Sequence, residues 1–348
     1  MFSKGYKIVS PKKFEIYVDE IKSLPDYCIV KVDRVAICKA DLRYYLGNRD
    51  KRVLGLKYPM NLIHEAVGTV VRDMSGKFIA GEKVVLVPNL IMKCDKENCD
   101  YQLCNNESLG ENYCPDAKFA SSNYNGFSSD FVSYPSSNLV KSNPDVEPGV
   151  AVFSELISVA FAAIRRVKIQ KDMSVGIFGD GILGYILCCV LREIFKVKII
   201  VIGKHEEKLE VFPSDKYYLT DDKMVHNEKF DIIFEAVGGK GAESAVDSIV
   251  NIINPGGSII LTGVSEENIR VNTRKILEKG IALYGVTRSS VSDFEQAVKL
   301  LENTIFKNRI SKLLLSDTEV SNISEFYNVF EKEVRNKKLG KYVIKFEF

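Results

Sequence analysis

Gly179-Asp180-Gly181-Ile182-Leu183-Gly184 decides the reading of this 348-residue chain, because of what stands on either side of it. The apolar run Ser174-Val175-Gly176-Ile177-Phe178 precedes it. Gly184 opens an apolar segment from Tyr185 to Phe195 in which Arg192 and Glu193 are the only charges. Strand, tight turn and helix in that order predict a dinucleotide site. The first glycine permits the turn, the second lets a pyrophosphate approach the backbone, and the third lets helix and strand pack closely. The helix N-terminus then faces the phosphates. Gly179, Gly181, Ile182, Leu183 and Gly184 are thus candidate cofactor-binding residues.

The end of the next strand selects the dinucleotide. That strand, Lys198-Ile199-Ile200-Val201-Ile202, runs into Gly203, 19 residues beyond Gly184. A site for NAD expects Asp or Glu about 20 residues past the motif, accepting from the ribose 2′-hydroxyl. Here a glycine leaves room, and Lys204 and Lys208 supply positive charge, partly offset by Glu206 and Glu207. A 2′-phosphate suits this better than a hydroxyl, so the expectation is NADPH, held in part by Gly203, Lys204 and Lys208.

From about Ala151 the pattern alternates helix and strand, with strands at 174–178, 198–202, 230–234, 258–262 and 281–286. A helix at 241–253 is expected to close at Pro255-Gly256-Gly257. Such alternation predicts a doubly wound parallel sheet, making the class α/β. From Lys7 to about Val140, short strands broken by Gly, Pro and Asn predict a β-rich domain instead. The expected division is 1–150, 151–287 and 288–348. The last part, with two amphipathic helices and a strand at 341–346, returns to complete the first. Length allows two cores. Hydrophobic content of 46% and charged content of 27% describe an ordinary globular protein. A net charge of +2 without a basic arm excludes general affinity for nucleic acid. No apolar stretch is long enough to span a membrane. The start, Met1-Phe2-Ser3-Lys4-Gly5-Tyr6-Lys7, lacks a signal-peptide core. A cytoplasmic protein is expected, so clusters among its eight cysteines read as metal or catalysis before disulfide.

Cys38 follows the strand-like run from Ile29 to Ile37, and His64-Glu65 comes 26 residues later. Glu155 stands at the junction where the pattern changes. Thiolate, imidazole and carboxylate form a donor set that suits a catalytic zinc with a position open to substrate. Each has an ordinary alternative as a core residue, but His64 is the only histidine in the first 200 residues and carries a carboxylate beside it.

The order Cys38, His64-Glu65, Glu155, then the glycine turn resembles the zinc-dependent medium-chain dehydrogenase/reductase superfamily over essentially the whole chain. The closest likeness is to the ribulose-5-phosphate reductases (ribitol-5-phosphate 2-dehydrogenases) of CDP-ribitol synthesis for teichoic acid and capsule. It rests on Cys38-Lys39-Ala40-Asp41-Leu42-Arg43-Tyr44-Tyr45, Leu62-Ile63-His64-Glu65, Glu155-Leu156-Ile157-Ser158-Val159, Phe234-Glu235-Ala236-Val237-Gly238-Gly239 and Leu277-Glu278-Lys279-Gly280. The resemblance implies a GroES-like catalytic domain, a Rossmann domain and a C-terminal return. It implies a catalytic zinc on Cys38, His64, Glu65 and Glu155, with one of the two glutamates bound directly or through water. It also implies a dimer or tetramer.

The implied reaction is NADPH-dependent reduction of D-ribulose 5-phosphate to D-ribitol 5-phosphate, with a ribitol-5-phosphate cytidylyltransferase as pathway partner. The alternatives are a dehydrogenase of another polyol, sorbitol- or xylitol-like, and a non-catalytic dinucleotide-binding protein. Many relatives carry Ser or Thr two residues after the metal cysteine to start a proton relay. Ala40 stands there, so the alkoxide must take its proton elsewhere, from a water held with a carboxylate or from the substrate's own hydroxyls. Cys94, Cys99, Cys104 and Cys114 occupy the place of the superfamily's structural zinc lobe, although gaps of four, four and nine replace two, two and seven. For a sugar phosphate, Arg43, Arg49, Arg165 and Arg288 are candidate phosphate ligands, with Arg166 and Arg274 further possibilities. Tyr44 and Tyr45 are candidate hydroxyl donors to the polyol.

Overall fold

The computed structural model describes residues 1–91 and 99–348, so Cys94 lies outside the described residues. The chain divides into two compact units. One comprises Met1–Asn106, Gly110–Ser158 and Ser289–Phe348, the other Glu107–Leu109 and Val159–Arg288. Apart from the short excursion Glu107–Leu109, the crossing into the second unit falls at Ser158/Val159, inside the helix Ser154–Ile164 rather than in a linker.

In the second unit, six parallel strands stand in the order Lys216–Leu219, Lys198–Gly203, Ser174–Phe178, Phe230–Glu235, Ile253–Leu261, Ala282–Gly285. The chain winds outward from Ser174–Phe178 to one edge, then restarts on the other side. That reversal places a crevice at the carboxyl ends of the two central strands, where ligands of such sheets bind. The helix Ala242–Ile252 buries Ala242, Ala245, Val246, Ile249 and Val250, a one-faced spacing that seats it on the sheet. The strand expected at 258–262 begins earlier, at Ile253, and carries Pro255-Gly256-Gly257 within it. A shift of register between Phe230 and Ile232 absorbs the irregular stretch. The edge strand Lys216–Leu219 was not expected; it is four residues long and its first two are exposed, so it lacks an apolar run.

The first unit is β-rich. Among the described residues it holds a three-stranded sheet, a seven-stranded sheet and the two-stranded pair Asn89–Leu90 with Lys118–Phe119. Strand Tyr27–Ala36 is central to the larger one. It pairs antiparallel with Glu65–Asp73, Phe131–Pro135 and the late strand Lys341–Phe346. The return segment contains three helices, Val291–Leu300, Thr304–Ser311 and Ile323–Val334, and an extra strand Leu314–Val320, rather than two helices and one strand. Asn303 makes the division: its side chain accepts from Ile305 N and Phe306 N and starts a new helix. Helix Ile323–Val334 buries Phe326, Val329, Phe330 and Glu333. Phe326 stacks on Tyr6 with centroids 4.4 Å apart, and Phe14 lies against both Phe326 and Phe330. The return segment is thereby part of this unit's core. Among the described residues, no helix is long and apolar enough to cross a membrane.

Candidate active site

Strand register assembles the donor set. Ala36 pairs with Glu65, so Cys38, two residues past the end of one strand, meets His64 and Glu65 at the start of its neighbour. One ligand atom from each of Cys38, His64 and Glu65 lies within 4.8 Å of the others. This is the only such trio of donors among the described residues. Glu155, near the start of helix Ser154–Ile164, is buried beside them but outside the trio.

Asp41 organises the set from the first turn of helix Lys39–Leu46. Its Oδ2 accepts from Cys38 N at 2.8 Å. Its Oδ1 accepts from Ile63 N at 3.0 Å and Ser121 Oγ at 2.5 Å, and lies 3.4 Å from His64 Nδ1. Ile63 has a φ of +74°, a strained conformation for a β-branched residue that costs about 1–3 kcal/mol. Asp41 holds its N–H and Phe127 N donates to its carbonyl at 2.8 Å, so the turn that aims His64 is clamped on both sides. The ring of Phe119 packs 5.2 Å from the imidazole.

The electrostatics favour a cation. Burial opposes charge on both partners, yet Asp41 and Cys38 push His64 well above its ordinary value, while His64, Ser121 and Cys38 N–H hold Asp41 below the usual carboxylate range. Burial pushes the Glu155 carboxyl up to about 7, with His64 opposing and Glu65 adding to the rise. Lys341, from the last strand, is the local counter-charge. It ion-pairs with Glu65 Oε1 and is itself buried; burial works against its charge, but Glu65, Cys38 and Glu155 raise it above the ordinary lysine value. Glu65 Oε2 is buried and has no hydrogen-bond partner. An orphaned carboxylate oxygen beside a thiol and an imidazole fits a divalent metal with N, O and S ligands.

The candidate cofactor residues lie in the second unit. Gly179 takes a φ of +132° between the first strand and the turn, and a Cβ there would stand 2.8 Å from the Ala236 carbonyl group. Gly181 begins helix Ile182–Ile194, and a side chain on Gly184 would collide with the Gly179 carbonyl. Lys204 is exposed and Lys208 lies in the short helix Glu206–Leu209. The space at Gly203 is not empty: the Asp180 side chain fills it, with Cβ 2.7 Å from where a Cβ of residue 203 would be. Glu235, buried at the end of its strand, accepts from Val237 N, Gly238 N and Gly263 N and ties two loops at the same end of the sheet.

The substrate candidates fall in both units. Arg49 stacks over Tyr44 at 4.5 Å, and Tyr44 is buried with its hydroxyl 3.3 Å from Ser122 Oγ. Tyr45 donates to Glu331 at 2.8 Å. Arg43 lies half-buried in the last turn of helix Lys39–Leu46. In the second unit, Arg165 donates to the Leu109 carbonyl at 2.7 Å, and Arg288, half-buried, is lowered by burial. Arg274 is exposed and pairs with Glu278. Cys99, Cys104 and Cys114 are free and do not form a donor trio. Sequence reading missed the supporting residues Asp41, Ser121, Ile63 and Lys341. Asp41 had a local signal, an acid three residues after Cys38 at a helix start; Lys341 had none.

The family model described as alcohol dehydrogenase GroES-like domain matches residues 24–145, and that of zinc-binding dehydrogenase matches residues 183–303. Ribulose-5-phosphate reductase 1 of Staphylococcus aureus is 37% identical over 352 residues, covering 99% of each chain. Ribulose-5-phosphate reductase of Bacillus spizizenii is 35% identical over 354 residues and 100% of each. The crystal structure of S. aureus TarJ in complex with NADPH superposes with a TM-score of 0.86 at 35% identity, covering 100% of both chains. The chain belongs to the zinc-dependent medium-chain dehydrogenase/reductase superfamily and is an oxidoreductase. Within that superfamily, relatives that it matches over its full length at 35–37% identity include ribulose-5-phosphate reductases.

Proposed function

We propose that this protein is a zinc-dependent reductase that transfers hydride from NADPH to C2 of D-ribulose 5-phosphate and a proton to the oxygen, giving D-ribitol 5-phosphate. The observation that carries this reading is the buried trio Cys38, His64 and Glu65 in a chain so similar, end to end, to ribulose-5-phosphate reductases. Cys38, His64 and Glu65 hold the zinc, with Glu155 beside them. When bound, the zinc supplies the positive charge that polarises the ketone oxygen. Asp41 fixes the imidazole orientation, and Lys341 offsets part of the carboxylate charge. The glycine turn and the start of helix Ile182–Ile194 receive the pyrophosphate, while Lys204 and Lys208 face the 2′-phosphate. Arg43, Arg49, Arg165 and Arg288 are the guanidinium groups from which the sugar phosphate is held.

The same reading includes a cytoplasmic dimer or tetramer and a cytidylyltransferase that consumes the product. It keeps Cys94, Cys99, Cys104 and Cys114 as a second, structural zinc site. The test is NADPH oxidation measured with phosphorylated and unphosphorylated ketoses, with NADH alongside and zinc counted on the same sample. Ribulose 5-phosphate should be the preferred ketose. A preference for an unphosphorylated sugar overturns the substrate, and one zinc per chain instead of two removes the structural site.

A further inference from the structure

Two exits of the parallel sheet lie side by side. Phe178 pairs with Ile202, so the chain leaves one strand through Gly179 and Asp180 and the adjacent strand through Gly203, Lys204 and His205. Asp180 turns its carboxylate across the gap. Oδ2 accepts from Lys204 N at 2.7 Å and His205 N at 2.7 Å, and lies 2.9 Å from His205 Nδ1. Burial opposes ionisation there, but these donors hold the carboxyl below its ordinary range.

The geometry explains the glycine at 203. A Cβ at that position would stand 2.7 Å from Asp180 Cβ and 3.0 Å from Oδ2, so the two side chains exclude one another. In a dinucleotide fold, the acid at the end of the second strand accepts from the ribose 2′-hydroxyl. Here a carboxylate does reach that end of the sheet, but from the turn. The oxygen that does so already takes three contacts from the 204–205 segment. The His205 ring, held through Nδ1, is half exposed and follows the exposed Lys204.

We infer that Asp180 is a positioning residue for cofactor choice: by holding the backbone of Lys204 and His205 and the His205 ring, it presents the Lys204 ammonium and the imidazole edge to a ribose 2′-phosphate. The inference rests on the NADPH reading above and extends it to the residue that sets the selectivity. His205 and Asp180 thereby join Lys204 and Lys208 in recognising nucleotides that carry phosphate on the 2′-oxygen.

The test separates the adenosine end from catalysis and from the metal. Calorimetry on the full-length protein compares adenosine 2′,5′-bisphosphate with 5′-AMP. The wild type should bind the bisphosphate at least about tenfold more tightly, the scale of one charge-assisted contact. Asp180→Ala should bring that ratio down to about twofold while leaving 5′-AMP affinity nearly unchanged, and His205→Ala should lower it in part. Asp180→Asn, which keeps an accepting oxygen, should retain most of the ratio. A wild type without preference overturns the NADPH reading and this inference with it. A preference that survives or grows in Asp180→Ala overturns the inference alone. If Asp180→Ala loses 5′-AMP binding as well, the turn has collapsed. The decision then passes to the exposed His205→Ala, where an unchanged ratio overturns the inference.

Discussion

Lys341 and Glu65 form a buried ion pair across 276 positions of sequence, between the last strand and the strand that begins with the glutamate of the donor trio. Removing one partner of a buried pair leaves an uncompensated charge, at a cost of about 3–5 kcal/mol. Lys341→Ala should therefore lower the denaturation midpoint sharply. The loss should be larger in chelator-treated protein than in zinc-loaded protein, because a cation at the trio replaces the missing ammonium. Equal losses in the two forms would mean that the trio does not hold the metal.

Asp41 bonds Cys38 N and Ile63 N and orients His64, so its effect should appear in metal affinity before activity. Asp41→Asn should weaken zinc binding about 10- to 100-fold in competition with a chromophoric chelator. Ser121→Ala, which removes one bond to the same oxygen, should have a smaller effect of the same sign.

Ala40 offers no hydroxyl for a proton relay, whereas Glu155 lies buried next to the trio. Glu155→Gln should reduce kcat by at least about tenfold, a modest general acid–base contribution. Ala40→Ser should change kcat by less than about threefold. A strong gain from the serine, with the glutamine variant unimpaired, would falsify the carboxylate as part of the proton path.

Glu228 meets Lys198 at 2.7 Å, Tyr218 at 2.7 Å and Lys216 at 2.9 Å. The Lys198 contact first, then Tyr218, hold its carboxyl down at about 2, against an ordinary value of 4.5. A depressed carboxyl stabilises the fold fully above its ordinary value, and that stability is lost as pH falls toward 2. Solvent around the half-exposed lysines limits the effect, so Glu228→Gln should cost roughly 1 kcal/mol near pH 7. In urea denaturation, the difference between variant and wild type should shrink between pH 4.5 and pH 2. A difference that stays constant across that range excludes the ion pairs as its source.

The parallel sheet was legible because each central strand is an apolar run followed by a turn or helix, as at Ser174–Phe178 and Phe230–Glu235. Lys216–Leu219 was not, since an exposed edge strand of four residues has no apolar signature. Cys38, His64 and Glu65 were legible as donor types, and strand register brings them together. The contacts that hold them were not legible. Asp41 acts through Ile63 and His64, and Lys341 through Glu65, by pairings that only the folded sheet creates. Gly203 shows a subtler limit. Its missing side chain reads as open space in sequence, but the space belongs to Asp180.

The strand Lys341–Phe346 pairs with the centre of the first unit's larger sheet and delivers the counter-ion to Glu65. During synthesis, Cys38, His64 and Glu65 leave the ribosome long before that strand does. The nascent chain therefore carries the donor trio with an uncompensated carboxylate while the second unit is being made. A product that stops short of Lys341 has every expected ligand but lacks the counter-charge to Glu65. The strand Lys341–Phe346 thus settles the charge of the pocket late: until it pairs, Glu65 carries a full negative charge that only a bound cation offsets.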